Sequence, residues 1–553
     1  MQARRWGLVA AAALLALLLF HPLRHASPVL EDYFYLALGT HLGNPLPLAI
    51  QDSTGSFFFR PVVMLFWWVT SAITRSPGAH YAVNIALHVA NGLLVLALLR
   101  RMKVSFVPAA LAGLAFVAHV TTYSAAAWLS DRFDLFTLAF GLGALIAVQI
   151  AHERGVNART LAAVAALALA CVFSKETGFG IVAVAGLAAL WPAPGHATTL
   201  RSRVILAITI AACIGFALAL RGFVLRDAVQ GIFLREGVVA TLWSGFDKWF
   251  GALPRFIMVA EGPRLAAQAW TAALAGLAVI AVLPMVWRSY RDTGLIRIVV
   301  MGLLLALVTA VAQAPVANLT GLELEGAAFD FRRVAASRLF YVPLAGLCLA
   351  CGALGEAIAR APMSAWLKRI AVSLMAIGAI ALVTQSRAVG RDVHAFSERS
   401  GPHFLAAALE ALRQRPALTP GCKVYFLGTP PHAMFFRQYL QVTVMQALPR
   451  GHPATKCFLL SEHTPWYNLL AFEGLPAEPQ RPLDTMLVGG KPFLPLTVGN
   501  LRFHYLNVPD NDAVRDDPSA TFFAWDDGRF VDVTADVRAR RREVKFFDNR
   551  PPG

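Results

Sequence analysis

An α-helix needs about 20 mainly apolar residues to cross a bilayer, and this chain carries one such run after another. By hydropathy they fall at roughly 6–23, 80–99, 104–121, 131–151, 158–173, 177–192, 203–220, 265–287, 296–315, 338–358 and 370–385, with a twelfth apolar stretch at 60–75. Inside lipid every backbone N–H and C=O must be paired within the protein, which leaves helices or a closed barrel as the only spanning structures. Runs this long, with no polar–apolar alternation, are helical. Only 15% of the 553 residues are charged, against roughly a quarter in soluble domains. The chain therefore reads as a polytopic α-helical membrane protein with a more polar tail.

Charge sets the orientation. Lys and Arg number 49 against 33 Asp and Glu, a formal net charge of +16. In a soluble protein that excess points to nucleic acid. Here much of it lies in short loops between spans, where it orients the chain instead, and no nucleic-acid partner is expected. If 60–75 lies along the surface as a juxtamembrane helix, about eleven spans remain. Arg4/Arg5, Arg100/Arg101/Lys103, Arg154/Arg159, Arg201/Arg203, Arg288/Arg291/Arg297 and Arg360/Lys368/Arg369 then all fall on the cytoplasmic side. If 60–75 spans, every later group moves outside, against the positive-inside rule. The expected layout has the N-terminus in and the C-terminus out. A membrane domain covers 1–385, with a first outer loop at 24–79, and a soluble α/β domain covers 386–553. The long outer loop 221–264 also carries Arg221 and other basic residues, but mixed with acids. The opening MQARRWGLVAAAALLALLLF resembles a signal peptide without a clear small-x-small cleavage site, and it is expected to stay as the first span.

The tail alternates short strand-like and helical stretches. CKVYFLG (422–428), KCFLL (456–460), DTMLVGG (484–490) and LRFHYLN (501–507) read as strands, and FFAWDDGRFVDV (522–533) as a hairpin with an Asp-Gly turn. PHFLAAALEALRQ (402–414) reads as an amphipathic helix. Of six cysteines, Cys171, Cys213, Cys348 and Cys351 sit in apolar runs as small hydrophobes, and Cys422 and Cys457 can pair if the tail meets an oxidising compartment. No CxxC metal spacing occurs, and no metal or cofactor is expected.

Under this topology the polar residues near span ends gather on the outer side. Glu31 and Asp32 follow the first span, and Arg60 opens the juxtamembrane stretch. His80, Asn84, His88 and Asn91 recur at spacings of three and four, on one helical face. His119 ends a span, AAWLSDRFD supplies Trp128, Asp131, Arg132 and Asp134, SKET supplies Lys175 and Glu176, and SRLFYVP supplies Arg338 and Tyr341. For any one of them a simple anchor at the interface is the plain alternative. Together they place carboxylates and cations on one side, close to lipid. Arg and Lys suit a lipid-anchored phosphate, and a carboxylate suits proton removal from an acceptor hydroxyl.

The order of these motifs resembles the integral-membrane glycosyltransferases of the C-type fold that use polyprenyl-phosphate sugars. Within them it is most similar to the protein O-mannosyltransferase-like branch, including its tetratricopeptide-repeat members, over about residues 25–345. The resemblance implies that Asp32, with Glu31 as the alternative, is the general base, and that Arg132, Lys175 and Arg338 contact the donor phosphate. It implies that Arg60 shapes the site, with His80, His88, Asp131, Glu176 and Tyr341 also lining it. It departs from the family where His119 lacks the usual following proline and where the tail shows no tetratricopeptide period. The implied enzyme transfers a hexosyl or pentosyl group from a polyprenyl-phosphate donor to a periplasmic or lipid-linked acceptor, in the bacterial inner membrane with the tail periplasmic. Two other readings stay open. One is a transporter or flippase of lipid-linked saccharides, the other an inactive scaffold in envelope assembly.

Overall fold

The computed structural model describes residues 2–28, 32–50, 59–192, 198–225, 239–240, 242–249, 294–317, 336–361, 364–400, 402–415 and, with gaps, 418–542. Two compact units emerge: Met1–Arg24 with Tyr81–Val393, and His25–His80 with His394–Gly553. Glu31 and the expected span at 265–287 lie outside the described residues.

Among the described residues, the α-helices up to Arg413 include, in chain order, α1 (Gln2–Phe20), α2 (Asp32–His41), α3 (Leu46–Ile50), α4 (Pro61–Ile73), α5 (Pro77–Arg101), α6 (Phe106–Ala118), α7 (Tyr123–Ala127), α8 (Arg132–Arg154), α9 (Ala158–Val172), α10 (Gly178–Leu190), α11 (Leu200–Leu225), α12 (Leu295–Ala317), α13 (Tyr341–Arg360), α14 (Ala365–Ser400) and α15 (Pro402–Arg413). Among the described residues, five helices are long and apolar enough to cross a membrane: Pro77–Arg101, Leu129–Arg154, Leu200–Leu225, Leu295–Ala314 and Ser337–Arg360. A sixth arises if α6 and the segment after it count as one span broken by 54°. Shorter apolar helices lie at Ala10–Leu23, Pro61–Ile73, Ala158–Val172 and Gly178–Leu190.

Two expectations need adjusting. The straight span over 104–121 breaks at His119, which takes an extended conformation (φ −70°, ψ 128°) and accepts from the Thr121 N–H through Nδ1 at 3.2 Å. An imidazole that captures a backbone donor locally competes with continuation of the helix. The last run does not end near 385, because α14 continues to Ser400. Falling hydropathy marks where a helix leaves apolar surroundings, not where its hydrogen-bond ladder stops.

Within the helical unit, small residues let backbones approach. A Cβ on Gly302 would lie 2.4 Å from the Gly346 carbonyl oxygen and 3.0 Å from the Ala350 nitrogen, and one on Gly346 would lie 2.8 Å from the Ala306 nitrogen. Contacts of 302 with 350 and of 306 with 346 make α12 and α13 antiparallel. Gly92 and Gly113 bring α5 and α6 together in the same way. Without a hydrophobic force between helices in lipid, such close packing is a main source of association.

The helix ends sort into two groups. At one end Arg101 pairs with Glu153, the Glu356 carboxylate accepts from the Ser105 N–H and hydroxyl, and Arg360 reaches Glu356 and the Lys103 carbonyl. This basic end gathers the last turns of α5, α8 and α13 and the start of α6. The opposite end gathers the last turns of α6 and α9 and the starts of α8, α10 and α13.

Among the described residues of the second unit, nine strands follow: β1 (Lys423–Leu427), β2 (Phe458–Ser461), β3 (Leu469–Phe472), β4 (Leu487–Val488), β5 (Lys491–Pro492), β6 (Thr497–Val498), β7 (Leu501–His504), β8 (Ala520–Asp526) and β9 (Arg529–Asp532). The main sheet has the order β2-β1-β8-β9, with β1 parallel to both β2 and β8 and β9 antiparallel to β8. Parallel strands are covered on both faces and read as unbroken apolar runs. Accordingly Val424 and Phe426 join one core with Phe404, Ala408 and Leu412 of α15, while Tyr425 and Leu427 join another with Phe458, Phe522 and Val537. Asp527 and Gly528 both have positive φ (39° and 84°), as the Asp-Gly hairpin turn requires. Cys422 and Cys457 form a disulfide beside the starts of β1 and β2, with Cα atoms 4.6 Å apart.

Candidate active site

The helical unit concentrates buried charge at the end opposite its basic end. The turn before α8 places Trp128, Asp131 and Arg132 side by side. Asn84 of α5 holds this turn, donating from Nδ2 to the Trp128 and Leu129 carbonyls at 3.3 and 3.4 Å. Its Oδ1 accepts from Arg132 Nε at 2.7 Å. Lys175, in the short turn between α9 and α10, donates to Asp134 Oδ2 at 2.5 Å. Arg338 lies 3.5 Å from Asp131 Oδ1, with its guanidinium 4.5 Å over the Trp128 ring. Glu176 accepts from Arg221 of α11 at 3.0 Å. Among the described residues Lys175 thus pairs with Asp134, Arg338 with Asp131 and Arg221 with Glu176, while Arg132 meets Asn84.

Exposure separates these residues. The side chain of Lys175 is 14% exposed and that of Arg338 23%, so both reach a surface. Arg132 is fully buried and turned to Asn84. Buried too is Asp134, whose Oδ1 has no hydrogen-bond partner among the described residues, which leaves Lys175 to balance it.

His88 and Tyr341, grouped above with the lining residues, have a different place. Both are fully enclosed. His88 Nε2 faces the Val117 carbonyl at 3.2 Å, so Nε2 carries the proton and Nδ1 accepts from the Tyr341 hydroxyl at 3.0 Å. That hydroxyl accepts in turn from Asn91 Nδ2 at 3.0 Å. Three residues up to 253 positions apart close one network, which ties α5 to the start of α13 and so to Arg338, three residues before Tyr341. Ser337 adds bonds to the Thr121 carbonyl and the Ser124 hydroxyl. These groups position the cluster rather than present themselves to a ligand.

The second unit holds Asp32, Arg60 and His80. Asp32 is fully buried in the first turn of α2, where a carboxylate suits the positive end of the helix dipole. Burial, with a lesser push from the Asp32 charge, raises the neighbouring Tyr33 phenol far above its ordinary value. Arg60 sits at the N-cap position of α4, followed by Pro61 at the first helical position. His80 is buried, bonds the Thr74 carbonyl at 2.9 Å through Nε2, and stacks on Trp67, which stacks on Tyr35. Trp68 Nε1 donates to the Leu42 carbonyl, and the Gly39 N–H donates to the Ser71 hydroxyl, so α2 and α4 form a closely packed pair.

Among the described residues no three His, Cys, Asp or Glu side chains come together as a metal cage. Of the residues the sequence pointed to, Asp131 meets Arg338, Lys175 meets Asp134, and Arg132 turns to Asn84. The sequence did not single out Arg221, which looked like loop charge and proves to be the partner of Glu176. Its signal was a lone cation closing an apolar run.

No protein-family model matches the chain, and no curated protein matches it. Among solved structures, that of the Archaeoglobus fulgidus oligosaccharyltransferase in complex with Zn and sulfate is similar at 13% identity and a TM-score of 0.41, over 79% of this chain and 61% of that one. The Archaeoglobus fulgidus oligosaccharyltransferase AglB, in complex with an inhibitory peptide and a dolichol-phosphate, is similar at 13% identity and a TM-score of 0.40, over 79% of this chain and 63% of that one. The chain thus spans less than two thirds of those chains, and at these TM-scores the likeness carries no assignment.

Proposed function

We propose that the protein is a membrane glycosyltransferase that moves a sugar from a polyprenyl-phosphate donor to a periplasmic or lipid-linked hydroxyl acceptor. The observation that carries this reading is the pairing of the part-exposed Lys175 and Arg338 with buried carboxylates, at the end of the bundle away from the basic face. By the positive-inside rule the basic face is cytoplasmic, so the cluster belongs to the outer side. In a bacterial inner membrane that side, and the tail with its Cys422–Cys457 disulfide, is periplasmic.

The reaction breaks the bond between the sugar C1 and the phosphate oxygen and forms one from C1 to the acceptor oxygen. The acceptor proton goes to a carboxylate. Asp32 is assigned that role by its place in the motif order after the first span, not by a measured distance. The leaving phosphate gains charge as the bond breaks, and Lys175 and Arg338 neutralise it. Asp131 and Asp134 hold these two cations in place and Trp128 covers Arg338, so little reorganisation is needed during transfer. Transport without chemistry fits less well, because the paired charges lie at helix ends rather than along a path through the bilayer centre.

The test is release of polyprenyl phosphate by the purified protein given polyprenyl-phosphate sugars. Arg338→Ala and Lys175→Met are each expected to slow release by about 100-fold, and Asp32→Asn to abolish it. Full turnover in Asp32→Asn would remove Asp32 as the base. Export of a lipid-linked saccharide without any release would replace the enzyme with a transporter.

A further inference from the structure

Arg297 is used by nothing described so far. It lies in the third position of α12, is only 2% exposed, and none of its three side-chain nitrogens has a hydrogen-bond partner among the described residues. A buried guanidinium keeps its charge and offers five donors. Its position makes matters worse. The first turn of a helix carries partial positive charge and free N–H groups, and the first turn of α12 contains no acidic residue. Like charges therefore meet at one buried point, flanked by the apolar Leu295 and Ile298. An anion would resolve this.

The height of Arg297 in the bundle identifies the anion. The antiparallel contacts of Gly302 with Gly346 and Ala350 put the start of α12 at the basic end, beside the last turn of α13. Gly180 of α10 opposes Val308 and Thr309 of α12. Counting eleven residues along each helix in opposite senses, from Gly180 and from Val308, brings Trp191 level with Arg297. Trp191 ends α10 and is 45% exposed, at a depth where tryptophans settle among lipid headgroups. Arg297 thus lies at headgroup height on the basic face, where anionic phosphates are the abundant partners.

We propose that Arg297 and the first turn of α12 form a phosphate-binding site at the cytoplasmic end of the bundle. Its ligand is the phosphate of an inner-leaflet phospholipid or a free phosphate. The guanidinium donates to the phosphate oxygens, and first-turn N–H groups before Arg297, whose own N–H meets the Gly294 carbonyl, add donors. The site is separate from the outer cluster and does not depend on the glycosyltransferase reading.

The full chain is purified in detergent, delipidated, and compared with Arg297→Leu and Arg297→Lys. Thermal unfolding is followed with phosphatidylglycerol, with an uncharged detergent-like lipid of the same chain length, and with inorganic phosphate alone. Retained phospholipid is counted by intact-mass measurement. The wild type is expected to retain phospholipid and to be stabilised by phosphatidylglycerol over the uncharged lipid. Arg297→Leu is expected to lose that retention by about tenfold and Arg297→Lys to fall between, because lysine keeps the charge without the fork. Stabilisation of the wild type by inorganic phosphate alone, absent in Arg297→Leu, supports the site with free phosphate as its source. Should Arg297→Leu fail to fold, Arg297→Lys carries the comparison. Equal lipid retention and equal response to both phosphates in wild type and every folded variant would overturn the proposal.

Discussion

The buried Arg297 and Glu356 of the basic end apart, the two ends of the helical unit handle charge in opposite ways. At the basic end, Arg101 and Glu153 pair while about a third of each side chain stays in solvent, and Arg360 lies open beside Glu356. At the other end Asp131 and Asp134 are buried, and their partners Arg338 and Lys175 are largely covered. Exposed pairs are screened and contribute little, so charge at the basic end chiefly orients the chain. Enclosed charge loses its hydration and is tolerated only when matched by geometry. That matching of buried carboxylates to cations sets the second end apart.

Substitutions that remove one partner at each end probe this contrast. Lys175→Met should have the largest effect, because it strands the buried Asp134 carboxylate. A loss of roughly 3–5 kcal/mol is expected on breaking such a pair, read as a drop in thermal midpoint. Adding Asp134→Asn should recover part of that loss, since the uncompensated charge is then gone. A Lys175→Met midpoint equal to wild type would show the two ends to be alike after all. Next, Tyr341→Phe removes the hydroxyl shared by His88 and Asn91. Leaving buried polar groups unsatisfied costs about 1–3 kcal/mol, and turnover should fall as well if the network positions Arg338.

The strand-bearing part of the second unit supplies a pH check. Burial alone would raise the Asp517 and Asp532 carboxyls. Hydrogen bonds from Ser519 and Lys423 to Asp517, and from Thr534 and Arg415 to Asp532, outweigh it and hold both below their ordinary value. Their folded values are depressed, so their stabilisation is complete above the unfolded carboxylate value of about 3.9 and is lost as pH falls through the lower folded values. Acid unfolding of the tail should shift upward in pH in an Asp517→Asn, Asp532→Asn double variant, measured by circular dichroism. The smallest effect belongs to Arg101→Ala, within about 1 kcal/mol and fading with added salt.

Much of this was legible in the sequence. Apolar runs located the helices of the bundle. The Asp527-Gly528 pair marked a hairpin whose positive φ values only a few residue types adopt. The unbroken apolar run at 423–427 proved to be a strand covered on both faces. Residues 128–134, 175 and 338 could be grouped because span counting put them on one side. The break at His119 was hidden, since it depends on one imidazole capturing one N–H. Also hidden were the burial of Arg132 against Asn84 and the pairing of Arg221 with Glu176.

The division has a physical cause. Hydropathy and the positive-inside rule act on each segment through its solvent, so segment identity and orientation are determined locally and can be read from the chain alone. Which polar side chains face each other is settled by how helices pack, and helix packing depends on small-residue crossings such as Gly302 against Gly346. His88 and Tyr341, or Asp131 and Arg338, are more than 200 residues apart in the chain. Only the packed bundle decided that one pair would be enclosed in a network and the other would leave Arg338 part-exposed.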